Sequence, residues 1–265
     1  MLTENHVREF MSAAIGGVSK AQVIRTFREN YGLSHDEIGQ LLQICNFNRS
    51  PKRIDYRYFH SIDITKTSNR VFFPFTQIYT VENFLTEEEC NILIERIDQT
   101  VRPSTVSDPK DSCITSDYRT SKTSDLHYLT DEFYLHIDRK ITFGMGLTPF
   151  LGEIVQAQRY EPGQYYKEHW DFFMPGTQEN KIYCEWMGQR TWTAMVYLND
   201  VETGGETYFK HLKLKVKPKQ GLLLAWNNLY KNGIPNLKTM HEALPPTSGN
   251  KYVITKWFRS YPLIS

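Results

Sequence analysis

The chain has 265 residues, 40% of them hydrophobic and 14% aromatic, enough to bury a substantial core in one large domain or in a domain with an appendage. The formal net charge of +1 gives no support for a nucleic-acid or membrane partner, and no apolar run approaches the ~20 residues of a membrane helix. Glu4 and Glu9 interrupt the N-terminal apolar residues, which argues against a secretory signal. The four cysteines, Cys45, Cys90, Cys113 and Cys184, form no C-x-x-C pair, so a reducing compartment, the cytoplasm, is expected.

Residues 1–65 read as a helical extension and connector. Val23, Ile24, Phe27 and Tyr31 recur at helical spacing after Ser19, and Gly32 stops the pattern. Ser34 with Glu37 then forms a capping box leading into Ile38, Leu41 and Leu42. The run 34–53 superficially resembles a helix-turn-helix, but Pro51 falls where a recognition helix would continue. A brace or protein-docking element is the better expectation there than DNA binding.

Residues 66–265 read as the main domain. A strand signal covers 71–81, followed by helices over about 87–99 and 130–143. Between the helices, residues 102–125 are rich in Ser, Thr, Asp and Pro and too long for an ordinary loop, which suggests a mobile lid. From Glu153 the chain becomes a succession of seven or more short strands separated by Gly and Pro turns, the pattern of a sandwich or jelly-roll barrel.

One of these strands carries His169 and Asp171. On a strand, residues i and i+2 project from the same face, so an imidazole and a carboxylate can grip one ion. His136 and Asp138 have the same spacing within a helical pattern, which points them apart and excludes a shared ion. His241, expected at the end of a hairpin strand whose return begins at Lys251, completes a set of two histidines and one carboxylate. That set leaves coordination positions open and suits non-haem Fe(II). The other histidines, His6, His35, His60, His127 and His211, have no comparable strand-borne carboxylate partner.

Here the sequence resembles a known family. From about Val71 to Arg259 the blocks NFLTEEECNILI, SDYRTS, YEPGQYYKEHWDF, GQRTWTAMVYLNDVETGGETYF, VKPKQGLLLAWNNL and HEALPPTSGNKYVITKW follow the catalytic domain of the collagen-type prolyl 4-hydroxylases, which are Fe(II)/2-oxoglutarate dioxygenases. The resemblance implies a mainly β fold with flanking helices, built on a double-stranded β-helix. It implies that His169, Asp171 and His241 bind iron, and that Lys251, Tyr160 and Thr193 bind the co-substrate 2-oxoglutarate. Glu153, Tyr166, Arg190 and Trp257 then match peptide-contacting positions, with aromatic faces for a proline ring. Arg259 stands where the family usually carries histidine.

The expected activity is hydroxylation of proline in a peptide or protein, with O2 as oxidant, succinate and CO2 as co-products, and ascorbate as a supporting reductant. Hydroxylation of a free amino acid or another small molecule is the alternative, since one core can serve both. Nucleic-acid demethylation is disfavoured because the co-substrate cation is Lys251 rather than the arginine pair of that branch. The oligomeric state is not legible in the sequence.

Overall fold

The computed structural model describes residues 2–3, 6–7, 9–10, 13, 20–44, 55–61, 64, 69–73, 75–108, 112–114, 117–126, 131–148, 151–185 and 187–261. His127 and the 45–54 connector, with Cys45 and Pro51, lie outside the described residues, as does residue 19.

Two antiparallel sheets face each other as a double-stranded β-helix. The larger runs β1 (Asn69–Phe73), β2 (Thr76–Val81), β12 (Leu223–Asn227), β9 (Arg190–Tyr197), β14 (Lys251–Arg259), β7 (Val155–Tyr160), β6 (Lys122–Leu126) and β3 (Arg102–Pro103). The smaller runs β11 (Leu214–Val216), β10 (Thr207–Phe209), β13 (His241–Ala243) and β8 (Tyr166–His169). β9 and β14 are buried almost throughout, because one face meets the smaller sheet and the other meets helices.

Those helices are α4 (Glu87–Thr100) and α5 (Glu132–Gly144). Thr86 and Glu89 form a reciprocal capping box at the start of α4, and the Asp131 carboxylate accepts from the Phe133 and Tyr134 amides to start α5. Cys90, Leu93 and Ile97 of α4 and Ile137 and Ile141 of α5 pack against Ala157, Trp192, Ala194, Val196 and Ile254 of the sheet. The His136/Asp138 pair behaves as its helical setting requires. Exposed His136 meets Glu89 at 2.9 Å, while buried Asp138 pairs with Lys256 at 2.5 Å.

Among the described N-terminal residues, α1 (Lys20–Tyr31) and α2 (His35–Ile44) share a second, smaller apolar cluster that includes Ile154 and Met187 of the main domain. The Ser34–Glu37 capping box is present, with the Ser34 amide donating to Glu37 at 3.0 Å and the Glu37 amide to Ser34 at 3.2 Å. A short helix, α3 (Arg57–His60), belongs with the main core instead. Phe59 packs there, and its carbonyl accepts from the Trp192 indole at 2.8 Å.

Two expectations change. The 102–125 segment contributes β3 and β6 to the larger sheet and a β4–β5 hairpin (Val106–Asp108 and Ser112–Ile114). Its 117–120 stretch also lies along β8, with the Lys167 amide donating to the Tyr118 carbonyl at 3.0 Å. Much of it is therefore sheet rather than loop, because backbone groups laid across β8 find partners there. His241 and Lys251 also do not lie on one hairpin: β13 pairs with β8 and β10, whereas β14 pairs with β7 and β9. The ProPro-containing link carries the chain from one sheet to the other, and the two residues line one cavity from different sheets.

Candidate metal and co-substrate site

The turn from β7 into β8 sets the metal residues. Glu161-Pro162-Gly163-Gln164 closes with the Gln164 amide donating to the Glu161 carbonyl at 2.9 Å. Gly163 there has φ +83°, the left-handed position that a type II turn requires after proline. β8 then runs antiparallel to β13 with His169 directly opposite His241.

Each imidazole is oriented the same way. His169 Nδ1 lies 2.8 Å from the Lys167 carbonyl and His241 Nδ1 2.9 Å from the Thr239 carbonyl. A carbonyl only accepts, so both Nδ1 atoms carry the proton and both Nε2 lone pairs are free. These Nε2 atoms lie 3.8 Å (His169) and 3.9 Å (His241) from the Asp171 carboxylate oxygens. Two ligands each ~2.1 Å from a common ion can stand up to ~4.2 Å apart, so both separations suit a shared metal. Among the described residues this trio is the cluster whose donors converge closely enough to hold an ion.

Protonation states agree. Burial, reinforced by His241, pushes His169 down to about 3, so the ring is neutral as a ligand must be. Burial works against the Asp171 anion, but the histidines, Arg190 and the Thr193 hydroxyl outweigh it and hold the carboxyl below its ordinary range. Thr193 donates to Asp171 Oδ2 at 2.6 Å and accepts from the Asn228 amide at 2.9 Å. Fully buried Thr193 is thus committed to the metal carboxylate.

Lys251 begins β14 opposite Tyr160 of β7 and is 1% exposed. Among the described residues no carboxylate pairs with it. Its ammonium lies 4.9 Å from the Tyr160 ring centre and 5.6 Å from that of Tyr197, and burial pushes its pKa down to about 7. Gly205, beside its stem, has φ +76°, a backbone conformation that favours glycine. Glu206 acts on Lys251 only at longer range, so a lysine buried this deeply in the same cavity as the His169, Asp171 and His241 trio is suited to receive a carboxylate.

The four peptide positions also converge on this cavity. Glu153 is buried and takes a two-point contact from Arg190, at 2.7 and 2.8 Å. Arg259 Nε adds an ion-pair contact at 3.0 Å, while its Nη atoms donate to the Gly188 and Tyr183 carbonyls at 2.9 and 2.7 Å. Burial opposes the Glu153 anion, but Arg190 and then Arg259 keep its carboxyl below the usual range. The Arg190 guanidinium carbon lies over the Trp257 ring, 4.1 Å from its centre, and Tyr166 stacks on His169 at 3.6 Å. Arg190 and Tyr166 therefore already brace the site.

Sequence reading missed Asn228, the partner of Thr193, and Arg119, whose guanidinium lies 4.9 Å over the Tyr166 ring. The Asn227-Asn228 pair at a strand end was the available signal for the first. Arg119 stands in the SDYRTS block, but its role depends on the pairing of 117–120 with β8.

Residues 155–259 match the 2OG-Fe(II) oxygenase superfamily. Prolyl 4-hydroxylase 13 of Arabidopsis thaliana is 30% identical over 204 residues, covering 69% of this chain and 71% of that one. Probable prolyl 4-hydroxylase 10 of the same plant is 33% identical, covering 70% and 69%. The chain belongs to the prolyl 4-hydroxylase family of 2OG-Fe(II) oxygenases. This oxygenase is also 34% identical to prolyl 4-hydroxylase subunit alpha-2 of Gallus gallus, but covers 31% of that longer chain. Among solved structures it resembles the 2OG complex of the viral collagen prolyl hydroxylase from Paramecium Bursaria Chlorella virus-1. There the TM-score is 0.53 at 26% identity, over 71% of this chain and 97% of that one. The oxygenase is a 2-oxoglutarate-dependent dioxygenase using Fe(II) and O2, and its donor set and unpaired Lys251 fit both groups. No helix among the described residues is long and apolar enough to cross a membrane.

Proposed function

We propose that this oxygenase hydroxylates proline residues in a peptide or protein, consuming one O2 and one 2-oxoglutarate per C–H converted to C–OH and releasing succinate and CO2. The observation that carries the reading is Lys251, a buried unpaired cation in one cavity with the oriented metal trio, in a chain whose relatives are prolyl 4-hydroxylases. Bound Fe(II) would supply the centre at which O2 is reduced while 2-oxoglutarate loses CO2.

The residues have distinct work. His169, Asp171 and His241 hold the metal, and Thr193, itself held by Asn228, fixes the carboxylate. Lys251 takes the distal carboxylate of 2-oxoglutarate, and Tyr160, kept a neutral phenol by burial, borders the same space. Trp257 offers a face toward a proline ring, while Glu153 and Arg259 keep Arg190 stacked on it. Excluding water from the reacting C–H is the barrel's contribution.

Free proline as substrate is the weaker alternative. The cavity, about 890 Å³, is near the top of the ~300–1,000 Å³ range for small-ligand pockets, more room than one small amino acid beside 2-oxoglutarate needs. The free thiols Cys90 and Cys184 suit a reducing compartment such as the cytoplasm. Incubation with Fe(II), 2-oxoglutarate and either proline-containing peptides or free proline tests the reading. Addition of one oxygen to peptide, equimolar with succinate, is expected; turnover of free proline alone would refute it.

A further inference from the structure

The cavity that holds the metal trio is not bounded by the barrel alone. Thr26, Phe27, Asn30 and Tyr31 of α1 also line it, although they lie well before the superfamily match. The helix is seated firmly. Phe27 is 3% exposed and packs with Phe10, Val23, Leu33 and Ile38 against Ile154 and Met187 of the barrel. Ile154 adjoins Glu153, so α1 rests on the chain segment that carries the buried carboxylate of the site. Lys20 adds a contact to Glu185 at 3.8 Å.

Thr26 and Asn30 are four residues apart and share one helix face. Thr26 is half-buried and Asn30 exposed at the rim of the cavity, and among the described residues neither side chain has a protein hydrogen-bond partner, so both are open to a ligand. Deeper in the same cavity, the indole N–H of Trp257 is buried without a partner. A carboxamide offers both a donor and an acceptor, the complement of a peptide unit. The cavity lining also includes Glu9, Asp125, Glu168 and Glu179, with Arg190 neutralised by Glu153, so a polyphosphate strand is a poor occupant.

We propose that α1 is the second wall of the substrate groove, and that Thr26 and Asn30 bind the main chain of the polypeptide next to the target proline. The proposal rests on the proline-polypeptide reading above. It makes the N-terminal helices a substrate selector built into the active site.

The test uses the full chain with Mn(II) and 2-oxoglutarate, so that binding is read without turnover. Probes are twelve-residue peptides carrying one central proline within varied flanks, with free proline alongside. Thr26→Ala and Asn30→Ala should each weaken binding of the preferred peptides about three- to tenfold, as loss of one hydrogen bond does. The bulky Thr26→Trp should abolish peptide binding. All three should keep wild-type 2-oxoglutarate affinity and melting temperature, and Glu29→Ala, on the exposed side of α1, should change nothing. Wild-type peptide affinity in all three variants would overturn the proposal, as would a parallel loss of 2-oxoglutarate affinity. If wild-type protein binds free proline as tightly as every peptide, the polypeptide reading falls first, before any variant is measured.

Discussion

Lys251→Met separates a co-substrate residue from a structural one, because the two roles predict opposite signs. In the ligand-free fold the Lys251 ammonium is buried beside aromatic rings, with no carboxylate at ion-pair distance among the described residues, and burial, only partly offset by the charge of Glu206, lowers its pKa to about 7. The unfolded chain, with an ordinary lysine near ~10.4, binds more protons between pH 7 and that value. Ligand-free stability should therefore rise with pH across this window. At 1.36 kcal/mol per pKa unit, the effect is on the order of a few kcal/mol. Methionine fits the same space without a charge, so the variant should match or exceed wild-type stability at pH 7 and lose that pH dependence. Its 2-oxoglutarate affinity should fall by roughly 2–5 kcal/mol, the cost of deleting one partner of a buried charge pair. That corresponds to a loss of at least ~30-fold in Kd. Wild-type Kd should also rise about tenfold per pH unit above 7, because only the protonated amine pairs with the carboxylate, with proton uptake visible by calorimetry in buffers of different ionisation enthalpy. A variant that loses ligand-free stability yet binds 2-oxoglutarate normally, or that keeps the wild-type pH slope, would refute the reasoning.

Thr193→Val keeps the volume but removes the 2.6 Å hydrogen bond to Asp171; metal affinity should fall about 10- to 100-fold, read by competition with a chelating dye. Asp138→Asn leaves the Lys256 ammonium buried without its anion and should cost about 3–5 kcal/mol in urea unfolding, whereas Asp138→Leu with Lys256→Met should recover most of it. His136→Ala, which removes the helical counterpart of the metal motif, should leave metal content unchanged and shift stability by less than about 1 kcal/mol, since Lys140 still pairs with Glu89.

Sequence alone determined the chemistry, because its signals are local. Alternation along 153–172 suggested His169 and Asp171 on one strand face; in the structure β8 ends at His169 and Asp171 lies in the bend just beyond it, its carboxylate still converging with the imidazoles. Helical spacing around His136 and Asp138 excluded a second site. The capping box at Ser34 and Glu37 set the start of α2 in the same way. These follow from short-range backbone geometry, which each segment carries with it. Tertiary structure decided everything that depends on pairing across the barrel. It placed His241 and Lys251 in different sheets, laid 117–120 along β8, and turned the Thr193 hydroxyl onto Asp171 through Asn228. It also buried Arg259 against Glu153, so a residue that stood out as a departure from the family became part of the brace behind Arg190. Above all it brought α1 against Ile154 and Met187, at the mouth of the metal site. No periodicity in residues 20–31 records that contact, because an amphipathic helix specifies that it must bury one face but not which surface will receive it.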